Sequence, residues 1–108
     1  MAVLWTSGDR EVALKMVFMY VSASKKNNWW DEIRLIIWGP SSKLLAEDVE
    51  LQEYIKKIKD SGVELSACIV CADMYGVTEK LKKLGIDVKP MGKPFTDMVK
   101  SGWTVMTF

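Results

Sequence analysis

Residues 33–42 read IRLIIWGPSS, and the reading of this stretch decides the fold. Ile33 to Trp38 is an apolar, β-branched run, the pattern of a strand covered on both faces. Gly39-Pro40-Ser41-Ser42 ends it, and Ser41 or Ser42 can cap the helix that follows. In that helix Leu44, Leu45, Leu51, Tyr54, Ile55 and Ile58 recur near helical spacing, with Gly62 as its stop. A doubly covered strand that runs straight into an amphipathic helix is the building block of a parallel sheet.

The same alternation extends in both directions. Upstream, Val3-Leu4-Trp5 reads as a first strand, closed by Thr6-Ser7-Gly8-Asp9, which has both turn and helix-cap chemistry. A helix runs from there to about Ser24, where Lys25-Lys26-Asn27-Asn28 stops it. Downstream, Val63 to about Ile69 is a third strand, and Thr78 to Leu84 a short helix closed by Gly85. Ile86, Val88 and Pro90 alternate with polar residues, as in a fourth strand near a sheet edge. Pro94 fits the first turn of a last helix ended by Gly102, and Trp103 to Phe108 is a fifth strand. No repeat or low-complexity linker interrupts the pattern. Residues 1–108 are therefore expected to form one α/β domain, a five-stranded parallel sheet with helices on both faces.

Bulk composition excludes several classes. Fifteen basic against fourteen acidic residues argue against a nucleic-acid partner, and Lys80, Lys82 and Lys83 share a short helix with Glu79 as a solvated face. The longest apolar stretch, around VFMYV, falls far short of the ~20 residues that cross a bilayer, so no membrane partner is expected. No early segment has the layout of a secretory leader, which predicts a cytoplasmic protein with reduced thiols. The absence of histidine excludes Ser-His-Asp and Cys-His nucleophile arrangements. Neither a dinucleotide fingerprint nor a Walker loop is present, and no cofactor is expected.

Residues 12–21, VALKMVFMYV, carry one charge in ten positions. A helix lying on a small sheet needs only about a 100° apolar stripe. Val12, Leu14, Met16, Val17, Phe18, Met19, Tyr20 and Val21 cover most of its circumference. Deep packing is one explanation; a subunit interface is the preferred one, extended by Trp29 and Trp30. A homo-oligomer is expected.

The chemistry concentrates in SACIVCADMYG, residues 66–76, which holds both cysteines, Cys68 and Cys71. Ligands of open α/β sheets gather at the carboxyl ends of strands, and the segment after Cys68 leaves such an end. On one continuous strand the two α-carbons would stand roughly 10 Å apart, beyond the ~7 Å limit of a disulfide, so a local bridge requires a turn. A zinc site is the weakest reading, because two thiolates and no imidazole leave four ligands only if two chains pool theirs. No metal is expected. Thioredoxin-like exchange has the spacing, but the strand order lacks an antiparallel hairpin and Ile69-Val70 is bulky. Sulfur carriage asks for one accessible thiolate near N–H groups or a cation. Two buried, inert thiols remain the plain alternative.

Thr6, Ser7, Gly8, Gly39, Pro40, Ser41 and Ser42 line the other two strand-end loops. Their hydroxyls and helix-start N–H groups can bind a small anion or simply cap the helices.

LIIWGPSSKLLAED, SGVELSACIVCADMYGVTEKLKKLGIDV and MGKPFTDMVKSGWTVMTF resemble the DsrE-like family of small sulfur-handling proteins over nearly the whole chain. The resemblance implies a three-layer α/β/α sandwich with flavodoxin-like layering around five parallel strands. It also implies homo-oligomers: trimers or hexamers ahead of dimers. In the family's relay members a reactive cysteine stands eight residues before a glycine, as Cys68 stands before Gly76. The resemblance thus implies a persulfide on Cys68, assisted by Cys71, with sulfur donor and acceptor proteins as partners and a sulfurtransferase-like activity if the chain is an enzyme. Relay members tend to carry an arginine just before that glycine, where this chain has Met74 and Tyr75. The reading from a different class is a non-catalytic, oligomeric binding module with structural cysteines.

Overall fold

The run after Glu32 forms strand β2 (Arg34–Ile37), with Leu35, Ile36 and Ile37 all buried, in a computed structural model that describes residues 1–108. It pairs in parallel with β1 (Ala2–Trp5) on one side and β3 (Glu64–Cys68) on the other. The outer strands are β4 (Asp87–Lys89), beside β3, and β5 (Val105–Thr107), beside β1. The order across the sheet is β4-β3-β2-β1-β5. The expectation of an α/β domain with five parallel strands is met, and the strand expected at an edge is at one.

This order determines where the helices lie. From β1 to β4 each step moves the same way, and right-handed crossovers put the intervening helices on one face. These are α1 (10–26), α2 (Pro40–Glu47), α3 (Val49–Asp60), α4 (Ile69–Tyr75) and α5 (Thr78–Lys83). The return from β4 to β5 runs the other way and lays one helix, α6 (Gly92–Lys100), on the opposite face. The sandwich therefore has one thick and one thin outer layer.

Side chains alternate between them, as a pleated strand requires. Val3, Trp5, Leu35, Ile37, Leu65 and Ala67 point into the thick layer's core, which holds 22 buried residues. Ala2, Ile36 and Cys68 point the other way and meet only Met91 and Met98 as buried partners. Half-buried Leu4, Trp38, Phe95, Trp103 and Val105 surround that small cluster.

Two local expectations are corrected. Gly39, not a serine, precedes the first residue of α2, and Pro40 opens the helix. Ser41 instead turns its hydroxyl back, donating to the Trp5 carbonyl and accepting from the Trp38 N–H at 3.2 Å. The single helix expected over this region is two, because Asp48 is extended (φ −116, ψ 105). Its carboxylate accepts the Leu51 N–H at 3.1 Å and starts α3. The Asp48 carboxylate also accepts from Arg10 Nε at 2.8 Å, which ties the start of α1 to that of α3. The guanidinium is the largest influence holding the Asp48 carboxyl below the usual range, and the carboxylates of Asp48 and Glu50 raise Arg10 in turn.

The first helix is covered more fully than its sequence suggests. It has three pieces, Arg10–Val12, a π-helical Ala13–Val17, and Phe18–Lys26. Ala13, Val17, Phe18 and Val21 are buried, and the Phe18 ring lies between Trp5 (5.2 Å, edge-on) and Tyr54 (5.8 Å, stacked). What stays outward is Met16 and Met19, 47% and 61% exposed, with Trp29 at 57% after the helix end. Trp30 is half-buried and donates its indole N–H to the Tyr20 hydroxyl at 3.1 Å. No helix is long and apolar enough to cross a membrane.

Candidate functional site: a thiol pair at the end of the third strand

β3 stops at Cys68, and α4 begins at the next residue. Cys68 keeps an extended backbone (φ −76, ψ 119) in the N-cap position, and Gly76 closes the helix in the left-handed region (φ 70), where a Cβ would be strained. The turn that a local approach of the two thiols requires is therefore present: Cys71 follows Cys68 by one helical turn instead of three strand residues. The two cysteines are not joined by a disulfide.

They reach the same place. Ala72 packs into the thick core, while Cys71 packs, half-buried, against the small cluster that contains Cys68. Cys68 itself is 4% exposed, covered by Met91 and Met98 of the α6 region. The water-accessible sulfur expected at position 68 is not what the single chain presents. The physical reason is the β4-to-β5 return, which lays α6 over that face of β3. Of the two sulfurs, the one nearer the solvent is at Cys71.

The charged surroundings of Cys68 come from strands, not from the residues before Gly76. Cys68 pairs in register with Lys89, so both side chains leave the same face of adjacent strands, roughly 5 Å apart at the backbone. Lys89 Nζ lies 2.7 Å from Asp87. Sequence reasoning missed Lys89, Met91 and Met98; the alternation of polar residues with Ile86, Val88 and Pro90 was the signal for Lys89.

Next to this cluster is a pocket of ≈ 400 Å³ along the outer edge of β3, lined among others by Ser66, Lys89, Met91 and Met98. Arg34 also lines it, its guanidinium 4.7 Å from the Trp103 ring centre. It contacts Glu32 at 3.1 Å and Glu64 at 2.9 Å.

The residues expected to hold a small anion are largely committed elsewhere. Thr6 donates its hydroxyl to the Phe108 carbonyl at 3.0 Å, and the N–H groups of Thr6 and Ser7 point to the same oxygen. The Ser7 hydroxyl accepts the Asp9 N–H at 3.0 Å, and Asp9, through Glu11 N–H at 2.8 Å, is the residue that caps α1. Ser41 and Ser42 are fully buried, and the Ser42 hydroxyl has no hydrogen-bond partner. Gly8 and Pro40 do share a shallow crevice, with Lys43, Leu44, Glu47 and Tyr75; Gly39 adjoins it in sequence without lining it. No group of three or more Cys, Asp or Glu side chains is placed to hold a metal ion.

A five-stranded parallel α/β domain with a thiol pair where its third strand meets a helix defines a class of small cysteine-bearing sandwich proteins. Within it, the chain belongs to the DsrE/DsrF-like family, whose model matches residues 2–108. A conserved protein of unknown function from Bacteroides thetaiotaomicron superposes with TM-score 0.96 at 36% identity, covering 99% of this chain and 92% of that one. A protein of unknown function from Methanobacterium thermoautotrophicum shares the fold at TM-score 0.80 and 17% identity, covering 99% of this chain and 97% of that one. The ychN protein of E. coli does so at 0.65 and 14%, with the same coverages. No curated protein matches the chain.

Proposed function

We propose that the chain is a sulfur-relay protein in which Cys68 carries sulfane sulfur as a persulfide and Cys71 passes it on. The observation that carries this reading is the arrangement of the thiols: one sheltered at a strand end, the other half-buried one helical turn away against the same cluster. In the loading step the Cys68 thiolate attacks the outer sulfur of a donor R–S–SH. The donor S–S bond breaks, its electron pair leaves on R–S⁻, and Cys68 keeps the sulfur as –S–SH. The Cys71 thiolate then takes the outer sulfur from Cys68 in the same way and presents it to an acceptor protein. No net oxidation occurs and no cofactor takes part. Shelter suits a persulfide, which water-borne oxidants and free thiols would otherwise consume.

The homo-oligomer belongs to the same proposal, with a trimer or hexamer ahead of a dimer. Its support is Met16, Met19 and Trp29, three large exposed apolar side chains on one helix and the turn after it. A cytoplasmic location is proposed with it, since free thiols and persulfides persist where glutathione keeps them reduced.

The burial of Cys68 supports a second reading, an assembling scaffold whose cysteines only pack. Incubation of the native protein with a persulfide donor, followed by intact mass, separates the two. A gain of one sulfur that cyanide removes supports the relay. An unchanged mass, with Cys68 and Cys71 still reduced, leaves the scaffold.

A further inference from the structure

Resting on the relay reading, we infer that the pocket beside β3 is the loading port for Cys68, built for the persulfide of a small zwitterionic peptide thiol and separated from the sulfur by a lid of Met91 and Met98.

The pocket and the thiol share a wall. Met91 and Met98 line the pocket, and the same two side chains belong to the small buried cluster that holds Cys68. Ser66, on the same face of β3 and two residues before Cys68, also lines the pocket, about 7 Å along the strand from it. Lys89, the register partner of Cys68, reaches into the pocket as well. Both lid residues are methionines, whose unbranched chains and three rotatable bonds let them move aside more readily than branched side chains.

Charge and length give the ligand class. The pocket contains three cations, Arg34, Lys59 and Lys89, and two carboxylates, Glu64 and Asp87. Arg34 pairs with Glu64 at 2.9 Å and Lys89 with Asp87 at 2.7 Å, which leaves Lys59 as the one cation of the pocket without an ion pair. Arg34 Nε is shut off from solvent yet lacks the alignment of a hydrogen bond. Lys59 stands at the far end of the pocket, its ammonium against Gly85. Asp87 is the register partner of Ser66, so Gly85, two residues before it, stands four positions or about 13 Å of strand from Cys68. A single amino-acid thiol is too short to touch Lys59 and Cys68 together. An extended tripeptide, about 10 Å long, covers most of that distance and its persulfide sulfurs add to its reach, and ≈ 400 Å³ suits a ligand of that size. Its carboxylate meets Lys59, its ammonium meets Asp87 or Glu64, and its sulfur lies at the lid. The Cys68 proton goes to water, the outer sulfur moves to Cys68, and the peptide thiolate leaves by the way it came. Loading and unloading then use different sides of the sulfur, the pocket and Cys71.

The test uses full-length Cys71→Ser protein and follows the gain of one sulfur on Cys68 by intact mass, with glutathione persulfide or the uncharged persulfide of 2-mercaptoethanol as donor. Glutathione persulfide is expected to load Cys68 in this variant, which then keeps the sulfur because the onward thiol is missing. Adding Lys59→Ala is expected to slow glutathione persulfide about fivefold and leave the uncharged donor unchanged, the effect of losing one exposed ion pair. Adding Met98→Ala is expected to speed both donors. Loading that disappears in Cys71→Ser while the wild type still loads would show that sulfur comes in through Cys71, overturning the port and leaving the relay intact. Equal slowing of both donors by Lys59→Ala also overturns it. If no donor loads the wild type, the relay reading fails, and titration of unreactive S-methylglutathione decides the pocket alone. Amide shifts at Ser66, Asp87 and Lys89 that weaken in Lys59→Ala sustain the pocket as a peptide-thiol site; none overturn it.

Discussion

Cys68 and Lys89 are register partners on adjacent parallel strands, and both point into the thin side of the sandwich. An ammonium-bearing side chain therefore leaves the sheet beside the sulfur, although the residues before Gly76 are Met74 and Tyr75. A persulfide is an anion near neutral pH, and a cation on the neighbouring strand offsets its charge. Lys89→Ala is expected to slow persulfide formation on Cys68 several-fold, whereas Lys89→Arg keeps most of the rate. Because Lys89 is exposed, its removal should change urea stability by less than about 0.5 kcal/mol, so a rate effect will not be a folding effect.

Cys68 and Cys71 should differ as structural residues. Cys68→Ser puts a hydroxyl among Ala2, Ile36, Met91 and Met98, where it finds no obvious partner, and should cost about 1–3 kcal/mol in urea unfolding. Cys68→Ala loses packing only and should cost about 1 kcal/mol, which makes it the better control for chemistry. Cys71→Ser, at a half-buried position, should cost less than either. Equal losses for the two serine variants would contradict the burial difference.

Asp48 joins two helix starts, and its contribution depends on pH. Its native carboxyl lies below the ordinary value of 3.8, chiefly through Arg10. Folding therefore gains stability from this group above the unfolded pKa and loses it as the pH falls through the lowered native value. Asp48→Ala removes the cap as well and is expected to cost about 1 kcal/mol at neutral pH. Asp48→Asn keeps a capping oxygen and should cost less. Thermal unfolding from pH 7 down to 3 should show wild type and Asp48→Asn converging in acid; a constant gap would contradict the assignment.

Assembly is tested at the outward methionines. Light scattering at micromolar concentration is expected to find a homo-oligomer, and Met16→Glu with Met19→Glu should dissociate it without unfolding the chain, since both side chains are exposed. A wild-type monomer would remove the oligomer from the account.

The sequence made the sheet legible where its strands are doubly covered. Ile33 to Trp38 can be little else, and the alternation through Ile86, Val88 and Pro90 marks an edge. Ile69 misled for the same reason: it is β-branched and apolar, so it extends a strand on paper, yet α4 begins there. The break at Asp48 was visible in principle, because the apolar positions Leu45 and Leu51 are six apart and an aspartate precedes a new turn. The shelter over Cys68 was not visible. It depends on Met91 and Met98, more than twenty residues away, and on a crossover direction that no local pattern encodes.

The most direct test of the relay is to find where the sulfur sits. Native protein, Cys68→Ala and Cys71→Ser are each incubated with glutathione persulfide, the remaining thiols are alkylated, and peptides spanning residues 66–76 are mapped by mass. The account predicts one cyanide-labile sulfur on Cys68 in Cys71→Ser, shared between Cys68 and Cys71 in the native protein, and none retained in Cys68→Ala. Sulfur found on Cys71 alone, equally abundant in Cys68→Ala, would contradict it.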